Sequence, residues 1–534
     1  MFEFDPVLVN QWLSKSARRV PDKEAIVTDR ERMTYRQIDQ RSSYLAKVLL
    51  GMNLSAQDRV VVFLDDSVKT VISIYGTLKA GGAFVVLEGS VKSGKLGYIL
   101  KNSCASVLIT DTSKSPAVCE AFDEETGHCK IIWTGPEKKI PGNLSDISYS
   151  WQECFAGFSE QHFEAESVSL PEVIDTDLAC LIYTSGSTGE PKGVVSTHHN
   201  MVSAAKSIIQ YIGNNHDDII LNVLPLSFDY GLYQVIMAFM FGGTVVENKS
   251  LIYMNTILKT IEREQVTGFP IVPTIAAMLL RREDLHKYDF NSLRYLTNTG
   301  AALPVDHILG LREIFVGAKL YSMFGLTECK RVGYLPPEEL ERRPGSVGKA
   351  MPNCRVHVVD DEGCEVEAGE IGELVIKGSN VMQGYWMSPD LTEKTYRRGR
   401  YHHERLLHSG DYFRKDEDGY LYFMGRKDDM IKSKGERISP KEVENTITGF
   451  EGVAEAAVIG VPDEILGQAV KAFIVLCGKK RLSEKKLFKM CSENLETFAV
   501  PKYIEILDSL PKTPNGKVDK KALKNMCSCS PIGT

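Results

Sequence analysis

The chain has 534 residues, 43% of them apolar and 25% charged, with a formal net charge of −7. Those totals exclude a single compact core, general disorder, and a surface that holds nucleic acid or anionic membrane by bulk charge. The twelve cysteines are scattered without a CxxC pair, which excludes the common zinc and dithiol motifs and fits a reduced, cytoplasmic setting. No stretch reaches the ~18 apolar residues of a membrane span, and the first residues lack the basic start and apolar run of a secretory signal.

In chain order, β-branched runs at 59–64, 83–87, 106–110, 218–222, 243–247 and 293–297 read as strands. Amphipathic stretches lie between them, such as 257–265. Strands alternating with helices predict parallel βαβ units. After the apolar run 178–182 comes YTSGSTGEPKG, residues 183–193. Glycines let successive backbone N–H groups converge on one centre, and such a nest holds an anion. Hydroxyls of Thr184, Ser185, Ser187 and Thr188 and the charge of Lys192 add to it. The stretch is no Walker A loop, whose G-x-x-x-x-G-K-[ST] register does not fit. A phosphate-holding loop and a flexible surface linker both suit the stretch taken alone.

Beyond about residue 345 the texture changes. Short strands at 355–359, 372–376 and 419–423 are separated by Gly-rich turns, predicting a small, mostly antiparallel β subdomain over 345–425. Then follow a helix at 439–447, strands at 454–461 and 471–476, and a helix at 483–495. The expected organisation is α/β: a large N-terminal domain, 1–425, and a small α+β C-terminal domain, 426–534.

Further stretches stand in a telling order: NTGAALP at 298–304, YSMFGLTE at 321–328, GEIGEL at 369–374, HSGDY at 408–412, GRKDDMIK at 425–432, GERISPKEVE at 435–444 and PNGKV at 514–518. With 183–193, these motifs resemble the adenylate-forming superfamily of acyl-CoA synthetases, aryl-acid ligases, luciferases and adenylation domains of nonribosomal peptide synthesis. The resemblance covers nearly the whole chain. It implies that a carboxylate attacks ATP to give acyl-AMP and pyrophosphate, after which the acyl group passes to a phosphopantetheine thiol. The physical difficulty is repulsion between anions at the α-phosphate, which preorganised cations and Mg²⁺ relieve.

The resemblance assigns roles residue by residue. Thr184, Ser185, Gly186, Ser187, Thr188, Gly189 and Lys192 would hold the outer phosphates. Gly300 and Ala301 would line the adenine and Phe324 would stack on it. Thr327 would touch the α-phosphate and Glu328 would hold Mg²⁺. Asp411 and Arg426 would reach the ribose, and Lys517 would bridge the two reacting groups. Asp428 matches the hinge about which the C-terminal domain swings, bringing in first Lys517 and then the segment around Lys434. Taken singly, Asp411 also reads as a turn residue, Glu328 as a helix cap and Lys517 as a solvated charge.

The acid is read from LPLSFDYGLYQ at 224–234. Asp229 matches the carboxylate that holds the substrate ammonium in amino-acid-activating domains. Tyr230-Gly231 departs from the usual continuation there. By linear matching Tyr230, Tyr233, Pro270, Thr299, Met323 and Val332 would line the acyl pocket, and their bulk implies a small one. Lys330 and Arg331 stand near its wall. If either points inward, the pocket admits a second acidic group; if they pair with surface carboxylates, they are structural.

No carrier domain follows Lys517, so the thiol is expected from another molecule. The leading expectation is a ligase loading a small amino acid, proline for example, onto a separate carrier protein. The alternative is an acyl- or aryl-CoA synthetase using free CoA, with Lys432, Lys434 and Lys441 as candidates for the CoA phosphate. A nucleotide binder without chemistry is a third class, opposed by the presence of Glu328, Asp411, Arg426 and Lys517.

Overall fold

A computed structural model of the chain describes residues 5–163, 168–185, 191–248, 254–300, 303–402, 404–427, 429–433, 436–463, 467–477, 482–495, 499–513 and 518–528. The first sheet has seven strands in the order Ser148–Ser150, Lys130–Thr134, Ala105–Asp111, Arg59–Phe63, Ala83–Val86, Leu178–Ser185 and Pro191–Thr197. All neighbours pair in parallel except the last two, which form an antiparallel hairpin with Ser185 opposite Pro191. Val60, Val61 and Val62 are buried on both faces, as expected of a strand covered on both sides.

The second sheet carries a parallel run in the order Lys319–Phe324, Tyr295–Asn298, Gly268–Ile271, Ile219–Asn222, Thr244–Glu247 and Glu24–Val27. The predicted antiparallel segment is not a detached sheet. Lys319–Phe324 pairs antiparallel with Gly333–Leu335, then Ser346–Ala350, then Leu421–Arg426, so the parallel run continues edge to edge into the antiparallel one. Strands Arg405–Lys415, Ile371–Gly378 and Cys354–Val359 complete it.

Helices join the two sheets. Val60, Val62 and Ile109 of the first share one core with Ile220, Val245 and Phe269 of the second. Helices Val9–Arg19, Tyr35–Gly51, Ser67–Lys79 and Asp229–Phe241 supply most of the rest. Asp66 starts the third of these by accepting from the Lys69 N–H, which satisfies one orphan donor of the first turn. Asp229–Phe241 is buried at every position, so it is apolar all round rather than amphipathic. It stops at Gly242, which takes φ +80° as a left-handed C-cap. The Tyr35 hydroxyl ties it down, donating to the Ala238 and Gly243 carbonyls at 3.0 and 2.6 Å.

The C-terminal part has strands Ile431–Ser433, Glu436–Ile438, Val453–Asp463, Gly467–Leu476 and Tyr503–Ile506 in one sheet. Val458 and Val470 face one apolar cluster, while Ala457, Ile459 and Ala469 face another, which is the period-two alternation of a strand covered on both sides. Helices Pro440–Thr448 and Glu484–Asn494 pack on the first of these faces. The predicted elements of this part all form, within a few residues of their expected ends.

Candidate active site

Open α/β sheets bind ligands beyond the carboxyl ends of their parallel strands. Of the predicted residues, Thr184 lies near the end of one such strand, and Gly300, Thr327 and Glu328 follow the ends of two others. Strand Leu178–Ser185 delivers Thr184, whose Cα pairs with that of Lys192 on the returning strand. The hairpin therefore brings together the two ends of the predicted phosphate loop; Gly186, Ser187, Thr188 and Gly189 lie outside the described residues, as does the side chain of Ser185. Lys192 Nζ stands 5.8 Å from the centre of the Tyr385 ring. Tyr385 in turn donates to Glu328 Oε1 at 2.7 Å. Burial, and then the Glu328 charge, push the Tyr385 hydroxyl well above its ordinary pKa, so it remains a donor. Lys192, Tyr385 and Glu328 thus form a row of cation, ring and carboxylate. Tyr385 arrives on a segment that pairs along Pro191–Thr197: Val195 N–H donates to Gly384 and Trp386 N–H to Gly193.

Thr327 and Glu328 occupy the turn after strand Lys319–Phe324. A Cβ at Gly325 would stand 2.2 Å from the Lys330 carbonyl oxygen, so only glycine lets this turn close on itself. Phe324 is half-buried, with its ring 4.9 Å from Phe413 edge-on and 6.1 Å from Phe423. Gly300, at φ +87°, follows strand Tyr295–Asn298 and faces Phe228 and Val272; Ala301 lies outside the described residues.

The residues predicted to reach the ribose are paired by a hairpin. Asp411 and Arg426 are Cα partners on strands Arg405–Lys415 and Leu421–Arg426, and Nη1 of Arg426 sits 2.8 Å from the buried Asp411 carboxylate. Glu373 supports them from the neighbouring strand. It accepts from the Gly410 N–H at 3.1 Å and stands 3.2 Å from Lys427 Nζ and 3.6 Å from the His408 ring. Burial raises its pKa, but the nearby His408 ring, the Lys427 charge and the Gly410 N–H together overcome that and hold it at about 2. Lys427 immediately precedes the predicted hinge Asp428. That residue and Lys517, with Lys434, lie outside the described residues. So does the Lys432 side chain, while Lys441 Nζ lies 3.9 Å from Glu444.

The predicted acyl pocket divides. Tyr230 and Tyr233 are both buried on helix Asp229–Phe241. Gly231 lets this helix approach the Leu224 and Pro225 carbonyls, where a Cβ would stand 2.7 and 2.4 Å away. The Tyr230 hydroxyl is spent on Thr297, 2.6 Å from its side chain and 2.8 Å from its carbonyl. Met323 accepts from the Tyr211 hydroxyl at 2.9 Å, and Tyr211 stacks on Tyr334 at 4.0 Å. Pro270 is buried in strand Gly268–Ile271. Val332 turns away from these residues. It packs with Cys329, Val347 and Val358 in the core of the antiparallel region, because its backbone continues from strand-edge pairing with Phe324.

Its two predecessors turn inward instead. Lys330 takes φ +63°, a left-handed conformation uncommon for a lysine, and both it and Arg331 are buried. Lys330 Nζ donates to the Asp229 carbonyl at 2.7 Å, lies 3.3 Å from the Asp229 carboxylate, and sits 4.1 Å from the Tyr233 ring centre. Burial pushes its pKa down to about 7 against the pull of Asp229, with Arg331 adding to the fall. The Asp229 carboxylate expected to meet a substrate ammonium is therefore already neutralised from within the chain. Arg331 lies on the other side, donating from Nη1 to the Thr299 hydroxyl, its guanidinium 5.4 Å from the Tyr230 ring centre. Tyr385 and Glu373 had no assigned role in the sequence reading, and the GEIGEL motif was the one available signal for Glu373.

Among the described residues no three His, Cys, Asp or Glu side chains converge on a metal-sized space. Mg²⁺ that arrives on nucleotide phosphates needs only one or two protein carboxylates, and the half-buried Glu328 is the carboxylate matched to that role in the sequence. No helix among the described residues is long and apolar enough to cross a membrane.

Comparison with known proteins agrees with this fold and with the resemblance of the motifs. The family of AMP-binding enzymes matches residues 13–386, and its C-terminal domain matches residues 442–517. A long-chain-fatty-acid–CoA ligase of Salmonella typhimurium is 30% identical over 96% of this chain and 93% of its own length. The ATP-bound crystal structure of MatB from Rhodopseudomonas palustris superposes with a TM-score of 0.85 at 26% identity, covering 98% of this chain and 99% of that one. The anthranilate CoA ligase AuaEII, solved with anthranoyl-AMP, has a TM-score of 0.85 at 28% identity, covering 98% of each chain.

Proposed function

The chain belongs to the AMP-binding enzyme family and is an AMP-forming acid–thiol ligase, and from that premise we propose that its acid is compact and that the acceptor is the phosphopantetheine thiol of coenzyme A. The observation that carries the size reading is the burial of bulky side chains at and beside the positions matched to the acyl pocket. Tyr230, Tyr233, Met323 and Arg331 are all buried, and their bulk favours a short acyl group over a long alkyl chain.

In this reading Thr184 and Lys192 meet the outer phosphates with the loop between them. Thr327 donates to the α-phosphate, and Asp411 accepts from the ribose hydroxyls while Arg426 holds its carboxylate in place. Glu328, steadied by Tyr385, faces the phosphates and is the carboxylate that would hold Mg²⁺, which when bound offsets charge on the phosphate oxygens. Lys517 brings the remaining positive charge to the acid and the α-phosphate. Acyl-AMP forms with loss of pyrophosphate, and the thiol then displaces AMP. The C-terminal domain pivots near Asp428 between the two steps.

A second reading is an amino acid such as proline, loaded onto a separate carrier protein. Asp229 in the first turn of its helix favours it. Lys330 on that carboxylate and Arg331 nearby weigh against it, since an ammonium would enter a site already rich in cations.

ATP–pyrophosphate exchange over a panel of short monocarboxylic, dicarboxylic, aryl, amino and long-chain fatty acids tests these readings. Exchange confined to compact acids is expected, followed by thioester formation with CoA. Exchange with long-chain acids would overturn the size reading. Exchange with amino acids that Asp229→Ala abolishes would establish the second reading.

A further inference from the structure

Arg331 is among the largest fully buried side chains of the protein, at 2% exposure. Among the described residues no carboxylate lies within ion-pair distance of it; the nearby Asp229 is engaged by Lys330. Its partners are neutral: the Thr299 hydroxyl and the face of Tyr230. Its Nε is buried without a hydrogen-bond acceptor. The cluster Asp229, Lys330 and Arg331 holds two cationic side chains against one anionic one. A buried guanidinium without a counter-charge is costly to keep, and a planar fork with an unused donor matches the two oxygens of a carboxylate.

Position decides which anion this is. Thr299 directly precedes Gly300, which the sequence assigns to the adenine side, while Tyr230 belongs to the stretch matched to the acyl pocket. Arg331 therefore stands between a residue assigned to the adenine side and one matched to the acyl pocket, and it makes no contact with the row of Lys192, Tyr385 and Glu328 among its hydrogen-bond and ring partners. The strained turn at Lys330 sends two successive side chains to different duties, one closing on Asp229 and the other entering the pocket.

We propose that Arg331 binds the second carboxylate of a short dicarboxylic acid whose first carboxylate is adenylated, so that the enzyme selects diacids over the corresponding monoacids. This rests on the ligase reading above. The reacting carboxylate keeps its place at the α-phosphate, and the far carboxylate supplies the missing counter-charge. A monoacid of the same length would leave the guanidinium facing a methyl group, and an amino acid would bring it a like charge.

The test is ATP–pyrophosphate exchange by the full chain with matched pairs: malonate against propionate, succinate against butyrate, glutarate against valerate. One of the diacids is expected to exceed its monoacid partner about 100-fold in kcat/KM, the range in which unpairing a buried charge falls. Arg331→Gln should raise KM for that diacid about 100-fold and lower KM for its monoacid, which then meets a neutral wall. Arg331→Lys, which keeps charge and much of the bulk, should recover part of the diacid preference. Exchange by the wild-type chain with monoacids or amino acids alone overturns the proposal and leaves the ligase reading standing. Equal loss of both substrates in Arg331→Gln also overturns it, since that places the guanidinium on the reacting carboxylate. Exchange with no acid of any class overturns the ligase reading and the proposal together.

Discussion

Among the described residues two lysine–aspartate pairs are buried, and they are built differently. Lys79 Nζ spends all three donors: 2.6 Å to the Asp39 carboxylate, 2.9 Å to the Asp39 carbonyl and 2.9 Å to the Ser43 hydroxyl. Ser14 donates to the same carboxylate at 2.7 Å. This network ties helix Ser67–Lys79 to helix Tyr35–Gly51. Lys330 is looser, 3.3 Å from the Asp229 carboxylate, with a tyrosine ring on one side and Arg331 as its neighbour. The first pair is balanced and fully bonded. The second carries surplus positive charge beside the residues matched to the acyl pocket. Burial alone does not tell a structural ion pair from a functional one; the count of donors and charges does.

The largest effect should come from breaking the balanced pair. Lys79→Ala leaves the Asp39 carboxylate buried without its cation and should destabilise the protein by about 3–5 kcal/mol, seen as a lower urea midpoint. Lys330→Ala should cost less, about 1–3 kcal/mol, because Asp229 sits in the first turn of its helix, where unpaired N–H groups and the helix dipole favour a negative charge. Equal losses in the two variants would make Lys330 a staple of the same kind, and the contrast would fall.

The second effect is in pH. Lys330 titrates at about 7 in the fold and above 10 when unfolded. Between those values the unfolded chain holds a proton that the native one lacks, so this group makes stability rise with pH across that window, and below pH 7 its contribution is constant. Binding runs the other way. The groups facing Lys330 are Asp229, Arg331, Tyr230, Tyr233 and Cys329, and burial raises the pKa of the tyrosines and Cys329 out of the working range. As pH rises through about 7 the cluster loses one positive charge, and KM for an anionic acid should climb several-fold. Lys330→Met should flatten that profile. A profile unchanged in the variant would detach Lys330 from the pocket.

What the sequence reveals and what it hides divide along the same line. Residues 183–193 announce a loop through glycines and a proline, and the order of motifs picks out Asp411 and Arg426, though their pairing across two strands comes only with the fold. The C-terminal elements follow from alternation and caps, Ser439 and Ser483 both accepting from the first turn of their helices. None of this extends to the pocket. The Lys330–Asp229 bond spans 101 positions of sequence, and whether Lys330 and Arg331 point in or out depends on one left-handed residue that no periodicity marks. Val332 was matched to the pocket by counting, but that turn shifts the inward position to Arg331. Tyr385 reaches Glu328 only because its segment pairs along a strand nearly two hundred residues earlier.

Tyr385 offers the smallest and sharpest test. It holds an acidic side chain as Lys79 and Lys330 do, but with a neutral hydroxyl that burial keeps protonated. A neutral donor orients the Glu328 carboxylate without cancelling its charge, which is what a group meant to face a cation on phosphates requires. Tyr385→Phe removes one hydrogen bond and keeps the ring beside Lys192. It should therefore cost about 1 kcal/mol in stability and roughly 5- to 10-fold in the exchange rate, with KM for the acid unmoved and the Mg²⁺ concentration for half-maximal rate raised. A thousandfold loss would instead place the hydroxyl on the reacting phosphate. No change in the Mg²⁺ requirement would mean that Glu328 is oriented by its backbone turn alone.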